Sequence, residues 1–278
     1  MKLSAHHKRL GDRVFLNRCA SPDLVYVSCV FTWNRGKTTF YPDATIGGTG
    51  VSLDTILPYE IEHIMPDYSL YGCDYSVGFT SRGCIRSCPW CVVPKKEGWI
   101  HDEATLSEFV HSKHRKVMLL DGNLLATPSA KRTLHELAER QLKVCFDAGL
   151  DIRLVTDEIA QMLAACDYRS RNFRERRLYF AFDEPKTERA VSQGIERLLA
   201  AGIKPRHLMF YILTGFNTSL DEDLHRIKLI QKCGADPYVM KYNNRQSPQL
   251  NALARWTNKA QIRKTVPFEQ YTRRKIPA

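Results

Sequence analysis

Three cysteines in one short stretch are the residues of this chain best suited to chemistry. Cys84, Cys88 and Cys91 lie in the sequence GCIRSCPWCVVP with the spacing C-x3-C-x2-C. Thiolates so close together can hold a soft metal centre, either tetrahedral zinc or an iron–sulfur cluster. A structural zinc site recruits a fourth ligand, but His101 and Cys73 lack the second-pair spacing of a zinc finger. Three protein ligands instead leave one metal position open for a small molecule.

The residues around the cysteines suit the same kind of centre. Gly83 allows the backbone to approach a metal closely, and Trp90 shields the loop. We expect the positive charges of Arg82 and Arg86 to offset the negative charge of a thiolate-ligated centre.

The composition is that of a globular protein without a membrane-spanning segment. The chain has 278 residues, of which 44% are hydrophobic and 26% are charged, and no apolar run reaches membrane-spanning length. Because the N-terminus lacks a signal-peptide pattern, we expect a cytoplasmic protein. Nine cysteines are an odd number, which argues against a disulfide framework. Outside the cluster, small buried side chains are expected at Cys19, Cys29, Cys73, Cys145, Cys166 and Cys233.

The net charge of +11 is compatible with a polyanionic partner such as nucleic acid. The positive charge is densest in RSRNFRERR (169–177) and in the C-terminal YTRRKIPA, and neither stretch carries an RNA-binding fingerprint. A solvated basic face is the alternative interpretation.

From about Asp74 onward, short apolar runs alternate with amphipathic stretches. Helix starts are indicated by Thr127-Pro128 and by a capping box that begins at Ser219, and helix ends are indicated by Gly202 and Gly234. The runs predicted to be strands are 74–79, 116–121, 143–147, 177–182, 207–213 and 237–242.

This alternation predicts an α/β fold with right-handed βαβ units and parallel strands. Six units indicate a partial (β/α)6 TIM-like barrel or a strongly curled open sheet. Functional side chains of such folds lie at the carboxyl ends of the strands, and the cysteine loop directly follows the first predicted strand.

The pattern resembles the radical S-adenosylmethionine (SAM) superfamily. The resemblance rests on the spacing C-x3-C-x2-C, on an aromatic residue before the last cysteine, and on the position of this motif after the first strand of a (β/α)6 series. The resemblance implies that Cys84, Cys88 and Cys91 bind a [4Fe–4S] cluster whose open iron binds SAM. It implies reductive cleavage of SAM to a 5′-deoxyadenosyl radical that abstracts hydrogen from a substrate. An electron donor such as flavodoxin or ferredoxin is then required, and Trp90 packs near the adenine.

The same resemblance implies further SAM contacts after the second and third strands. Asp121 and Asn123 lie in LLDGNLLA, which departs from the GGE-like turn usual in the family. Asp151 and Arg153 lie around the third strand end, where a carboxylate suits ribose hydroxyls and a guanidinium suits the SAM carboxylate.

Three more candidates follow the fourth and fifth strands. Asp183 lies in FAFDEP, and Thr214 and Asn217 lie in YILTGFNTS, which resembles the glycine-containing adenine-binding segment of the family. For all of these SAM candidates, a helix cap or a turn is the alternative role. No residue is assigned to catalysis, and the substrate is unidentified, with an anionic molecule or a nucleic acid favoured by the basic composition.

Three domains are predicted: 1–66, 67–245 and 246–278. Residues 1–66 form a small α/β unit that resembles a truncated cobalamin-binding domain. It contains a buried strand at 24–31, a strand entering a glycine turn at 44–50, and no D-x-H-x-x-G signature, so we expect a lid or a dimer surface without cobalamin. Residues 67–245 form the (β/α)6 core, and 246–278 form an amphipathic helix with a basic tail.

Two other functions remain open. The first is a zinc or iron–sulfur binding module without SAM chemistry. The second is a tRNA methylthiotransferase-like enzyme, which CVVP after the last cysteine resembles. That enzyme class requires a second three-cysteine cluster, whose spacing Cys19, Cys29 and Cys73 do not match, and a C-terminal β domain that does not fit after residue 242.

Overall fold

The structure is a computed structural model that describes residues 1–17, 19–244 and 247–273. It is a mixed α/β fold with parallel sheets, as the sequence predicts. None of the helices in the described ranges is long and apolar enough to cross a membrane.

The N-terminal unit is built on two short parallel strands. Its elements are α1 (Lys2–Arg9), β1 (Tyr26–Ser28), β2 (Thr45–Gly47) and α2 (Tyr59–Glu62), with a 3-10 helix at Thr32–Phe40. The strand predicted at 24–31 is present, but its predicted burial is wrong. Cys29 is buried, whereas Leu24, Val30 and Phe31 are more than half exposed. A sheet of two three-residue strands is too small to bury such a segment on both faces.

All six predicted core strands are present, each within two residues of its predicted start. The strands that follow the N-terminal unit are β3 (Ser76–Gly78), β4 (Ser81–Arg82), β5 (His101–Asp102), β6 (Lys116–Leu119), β7 (Lys143–Phe146), β8 (Asp167–Tyr168), β9 (Leu178–Ala181), β10 (Leu208–Thr214) and β11 (Asp236–Lys241). The α-helices are α3 (Val93–Lys96), α4 (Leu106–Phe109), α5 (Ala130–Glu139), α6 (Asp157–Ala165), α7 (Glu188–Ala200), α8 (Leu220–Lys232), α9 (Pro248–Asn258), α10 (Ala260–Thr265) and α11 (Phe268–Arg273). The remaining 3-10 helices are Ser69–Tyr71, Leu124–Ala126, Ile152–Leu154, Pro185–Thr187, Pro205–His207 and Tyr242–Asn244.

Beyond the N-terminal pair β1-β2, the parallel strands of the described residues form two sheets, in the orders β3-β6-β7-β8 and β9-β10-β11. Leu150, which follows β7, forms a parallel bridge with Phe180 of β9, and its N–H donates to the carbonyl of Tyr179 at 2.8 Å. This bridge places the third and fourth predicted strands next to each other. With β8 paired to the first residues of β7, the six predicted strands follow one another in chain order.

The strands bury one face more deeply than the other. In β10, Leu208, Phe210 and Ile212 are fully buried, whereas Met209 and Tyr211 on the opposite face are half-buried. The fully buried face packs against helices such as α8, and it forms the main apolar core. A smaller apolar group covers part of the opposite face, and it consists of Tyr75, Met118, Cys145, Phe173, Tyr179, Met209 and Tyr211.

Most of the predicted helix ends are confirmed. Ser219 and Glu222 form the capping box of α8, and Gly202 and Gly234 adopt positive φ just after α7 and α8. The start predicted at Thr127-Pro128 is wrong, because α5 begins at Ala130. The hydroxyl of Thr127 donates to Asp102, and Ser129 occupies the N-cap position of α5.

The C-terminal region contains three helices, α9, α10 and α11, instead of the single helix predicted. Asn258 of α9 pairs with the edge strand β11, accepting from the N–H of Val239 at 2.7 Å and donating to its carbonyl at 3.0 Å. The predicted boundary at 245/246 and the end of the basic tail, 274–278, lie outside the described residues.

Asp67 joins the N-terminal helix to the segment that precedes the core. Its carboxylate accepts hydrogen bonds from Ser4 and Ser69 and pairs with Lys8 at 2.7 Å. Burial alone would raise the pKa of Asp67, but the bonds from Lys8, Ser4 and Ser69 outweigh it and hold the pKa well below its usual value.

We therefore predict that the Asp67→Asn variant loses stability at neutral pH but not in strong acid. A depressed carboxyl pKa contributes stability above the unfolded-state pKa of about 4, and this contribution disappears as the pH falls through the folded-state pKa. The free energy of unfolding in urea should be about 2 kcal/mol lower in the variant at pH 7, with a smaller difference at pH 3. Asp54→Asn, at an exposed position, is the control. An equal difference at both pH values would contradict this assignment.

Candidate functional site

The cysteine loop lies between two short antiparallel strands. β4 ends at Arg82 and pairs with β5, so that residues 83–100 form a connection containing Cys84, Cys88, Cys91 and the short helix α3. The loop is closed near its base, because Glu97 accepts from the N–H of Gly83 at 3.0 Å and the N–H of Cys84 donates to the carbonyl of Gly98 at 3.2 Å.

Asp121 fixes the point at which this loop begins. Its Oδ1 accepts four hydrogen bonds, from the N–H and hydroxyl groups of Thr80 and Ser81, at 2.5–3.0 Å. Its Oδ2 is buried and has no hydrogen-bond partner among the described residues. Burial raises the pKa of Asp121, while the bonds from Ser81 and Thr80 oppose that rise. Asp121 thus connects the end of β6 to the start of the loop after β3.

Arg82 does not have the role that the sequence predicts. Its guanidinium binds Glu62, Glu97 and Glu103 at 2.8–3.2 Å and lies 4.0 Å from the ring centre of Phe79. Three carboxylates neutralise the positive charge of Arg82, so the expectation that Arg82 offsets the charge of a thiolate centre is wrong. The physical reason is that Glu62 comes from the N-terminal unit and Glu103 from beyond β5, contacts that local sequence does not encode.

Arg86 connects the cysteine loop to the end of β7. Its N–H lies 3.3 Å from the Sγ of Cys84, and its Nε donates to Asp151 at 3.1 Å. Arg153 binds the same carboxylate through its Nε at 2.6 Å and its Nη2 at 2.9 Å. Burial favours a higher pKa of Asp151, but the charges of Arg153 and Arg86 outweigh it and lower the pKa.

Asn123 is a predicted site residue whose side chain contacts a cysteine. Its Nδ2 donates to the Sγ of Cys84 at 3.4 Å, and its Oδ1 is buried without a hydrogen-bond partner in the described part of the chain. Cys84 therefore receives two N–H···S hydrogen bonds, from Asn123 and from the backbone of Arg86. Such bonds stabilise a thiolate.

Asp183 lies at the end of β9, on the same side as the cysteine loop. Its Oδ1 accepts from the N–H of Leu213 at 2.9 Å, and its other oxygen has no hydrogen-bond partner in the described ranges. Burial raises the pKa of Asp183, and the neighbouring Glu184 adds to the rise, against the charges of Arg226 and Arg153.

The thiols of the loop influence one another and are influenced by these charges. Burial is the largest cause of the raised pKa of both Cys88 and Cys91. Repulsion from Cys84 adds to both, while the positive charge of Arg153 opposes the rise at Cys88 and the negative charge of Asp183 supports it at Cys91. The three thiols, Arg153 and Asp183 therefore belong to one electrostatic neighbourhood.

Trp90 begins a row of aromatic rings across the strand ends. Its ring lies edge-on to that of Phe216 at 5.4 Å, and Phe216 lies edge-on to Tyr242 at 4.8 Å. Phe216 follows β10 and Tyr242 follows β11, so the row joins three loops. Sequence reasoning missed Phe216 and Tyr242, although Tyr242 is the last residue of one predicted strand and Phe216 lies three residues after the end of another.

Two predicted SAM contacts, Thr214 and Asn217, do not join the residues around the cysteine loop. Thr214 lies on the fully buried face of β10 with Phe210 and Ile212, and its hydroxyl has no hydrogen-bond partner among the described residues. Asn217 is exposed in the following loop.

The described side chains also do not form a site for a single metal ion. Within residues 1–17, 19–244 and 247–273, no group of three or more His, Cys, Asp or Glu residues is arranged to hold one. Metal binding by the three cysteines therefore stays a prediction.

We predict that Gly83→Ala destabilises the protein more than Gly98→Ala. Both glycines adopt left-handed φ, +80° and +74°, so an alanine costs about 1 kcal/mol at either position. At Gly83 the new Cβ would also lie 2.6 Å from the carbonyl carbon of Trp99, whereas at Gly98 it meets nothing within 4 Å. Urea unfolding should show a further loss of at least about 1 kcal/mol for Gly83→Ala. Equal losses would contradict the close approach that shapes the loop.

No family model, no curated protein and no solved structure matches the chain. A function of the protein is therefore inferred from its residues and their geometry.

Proposed function

We propose that the protein is a radical SAM enzyme, with a [4Fe–4S] cluster on Cys84, Cys88 and Cys91. The observation that carries the proposal is the position of these cysteines. They lie on one loop after the first of six strands that follow one another in chain order, where charged residues from the later strand ends converge. Ligand and cofactor sites of α/β folds lie at that edge.

We further propose that the two parallel sheets form one partial (β/α)6 barrel. The parallel bridge between Leu150 and Phe180, together with the parallel pairings inside each sheet, supports a continuous curled arrangement of the six strands. The half-buried tyrosines of one face would then line its inside. On this face Tyr238 and Met240 of β11 are 39% and 48% exposed, which is consistent with space for a ligand.

The donor set fits an iron–sulfur cluster. Thiolates are the usual ligands of such clusters, and hydrogen bonds to the cysteine sulfurs tune their properties. Cys84 receives two such bonds, one from the side chain of Asn123 and one from the backbone of Arg86. The chemistry that a bound cluster supplies is the one-electron reduction of SAM, which releases methionine and a 5′-deoxyadenosyl radical that abstracts hydrogen from the substrate.

The predicted SAM contacts then divide into two groups. In the first, Asn123 and Asp183 each keep one oxygen without a hydrogen-bond partner in the described ranges, and these oxygens are available to the SAM ammonium or to hydroxyl groups. In the second, Asp121 and Asp151 are largely occupied by protein donors, and their proposed role is to hold the cysteine loop and Arg153 in place. Thr214 lies on the fully buried face of β10 and Asn217 is exposed in the following loop, so neither is assigned to these two groups.

The substrate remains open in this proposal. The arginines of 169–177 give little support to a nucleic-acid groove at that stretch, because most of them pair with acidic residues. Arg169 and Arg176 share Asp167, Arg171 pairs with Asp147, and Arg177 pairs with Asp236. An anionic small molecule or a nucleic acid bound elsewhere is compatible with the net charge of +11.

The partners and the N-terminal unit complete the proposal. A one-electron donor such as flavodoxin or ferredoxin would reduce the cluster, in a cytoplasmic setting. The exposed apolar side chains of the N-terminal unit, among them Phe31 and Trp33, are consistent with a lid or a dimer surface. We propose no cobalamin for this unit.

Anaerobic reconstitution of the protein with iron and sulfide tests the proposal. We predict about four irons per chain and production of 5′-deoxyadenosine from SAM in the presence of dithionite. Cys84→Ser, Cys88→Ser and Cys91→Ser should each lower both the iron content and the yield of 5′-deoxyadenosine. Cys145→Ser is the matched control, because Cys145 is fully buried on β7 and burial raises its pKa to about 12.

The outcomes separate the alternatives. One zinc per chain and colourless protein would favour the zinc module and contradict the radical enzyme. Four irons without SAM binding would favour an iron–sulfur module. About eight irons, with a loss of half in Cys29→Ser, would favour the methylthiotransferase-like alternative with its second cluster.

A further inference from the structure

A buried arginine lies between the ends of two core strands. Arg226 belongs to α8, is fully buried, and pairs with Asp223 one turn earlier in the same helix. It follows no sequence motif, and the radical SAM proposal assigns it no role.

The guanidinium of Arg226 interrupts the regular pairing of β9 with β10. The two strands pair in parallel from Leu178, which lies opposite Leu208. After the last pair, the N–H of Phe182 still donates to the carbonyl of Tyr211 at 2.8 Å. In a regular parallel ladder, the next bond would run from the N–H of Leu213 to the carbonyl of Phe182. Instead, this carbonyl accepts from the Nη1 of Arg226 at 2.6 Å.

Asp183 accepts a hydrogen bond from the backbone N–H that has lost its regular partner. The N–H of Leu213 donates to the Oδ1 of Asp183 at 2.9 Å, while the carbonyl of Leu213 accepts from the Nη2 of Arg226, also at 2.9 Å. Two side chains, one guanidinium and one carboxylate, thus replace the last backbone hydrogen bond between these strands.

We propose that Arg226 is a positioning residue for Asp183. By donating to the carbonyl of Phe182, it frees the N–H of Leu213, which then holds the carboxylate of Asp183 at the strand ends beside the cysteine loop. That Asp183 contacts SAM rests on the proposed function, whereas the exchange of hydrogen bonds does not.

The cost of burying Arg226 supports a positioning role. A buried ion pair seldom adds net stability, since apolar residues of similar volume often serve as well or better. Here the Nε of Arg226 also has no hydrogen-bond partner among the described residues. The observed contacts of its two Nη atoms go to the carbonyls of Phe182 and Leu213, to Asp223 and to Thr218. What this arrangement provides, beyond packing, is a fixed geometry of the two strand ends.

The chemical shift of the Leu213 amide proton reports directly on which group accepts its hydrogen bond. In the whole 278-residue chain without iron, labelled with [15N]leucine, we expect this shift to follow the titration of Asp183 and to lose that dependence in Asp183→Asn. Removing Arg226 alone would leave Asp223 as an unpaired buried carboxylate, so the test variant is the double mutant Arg226→Met/Asp223→Asn. In it, the N–H of Leu213 should return to the carbonyl of Phe182, and the pH dependence of the Leu213 shift should be lost.

Asp223→Asn alone is the matched control, and it should keep the pH dependence because Arg226 remains. A Leu213 shift that still follows Asp183 in the double mutant would overturn the proposal and leave Arg226 with a merely structural role. If the double mutant does not fold, the unmodified chain decides the question through couplings across hydrogen bonds. Coupling from the Leu213 nitrogen to the Asp183 carboxyl carbon supports the proposal, and coupling to the carbonyl carbon of Phe182 overturns it. Neither measurement needs iron or SAM, so a failure of the radical SAM proposal would be seen separately.

Discussion

The buried carboxylate of Asp121 determines where the cysteine loop begins. Four donors from Thr80 and Ser81 converge on one of its oxygens, and a buried carboxylate without them would be strongly destabilising. Because Asp121 itself follows β6, the parallel pairing of β3 with β6 fixes the carboxylate and the loop together. Two further features depend on this fixed start of the loop. One is the hydrogen bond from Gly83 to Glu97 that closes the loop, and the other is the set of contacts of Cys84.

Charge compensation organises the rest of this edge. Arg82 is held by three carboxylates, and Asp151 by two guanidiniums, so each of these two charges has its opposite nearby. Arg86 is the residue through which the second network reaches the cysteine loop. Asp183 differs, because one of its oxygens has no hydrogen-bond partner in the described ranges and its pKa is raised by burial. A carboxylate of that kind is a better candidate for binding a ligand than one already saturated by protein donors.

Local patterns were sufficient to predict the six core strands and the position of the cysteine loop. Apolar runs and the capping box at Ser219 mark strands and helices, because periodicity and caps act over a few residues. The partners of Arg82 and the insertion of Arg226 between β9 and β10 join residues distant in the sequence, so no local pattern indicates them. Thr214 is an intermediate case, since strict alternation from Phe210 would already have placed it on the buried face.

We propose that the three cysteines leave one coordination position for SAM. Electron–nuclear double resonance on the reduced, iron-loaded protein tests this proposal, with SAM carrying 15N in its amino group and 17O in its carboxylate. Hyperfine coupling of both labels to the cluster is expected. A cluster signal that SAM leaves unchanged, with no coupling to either label, would contradict it.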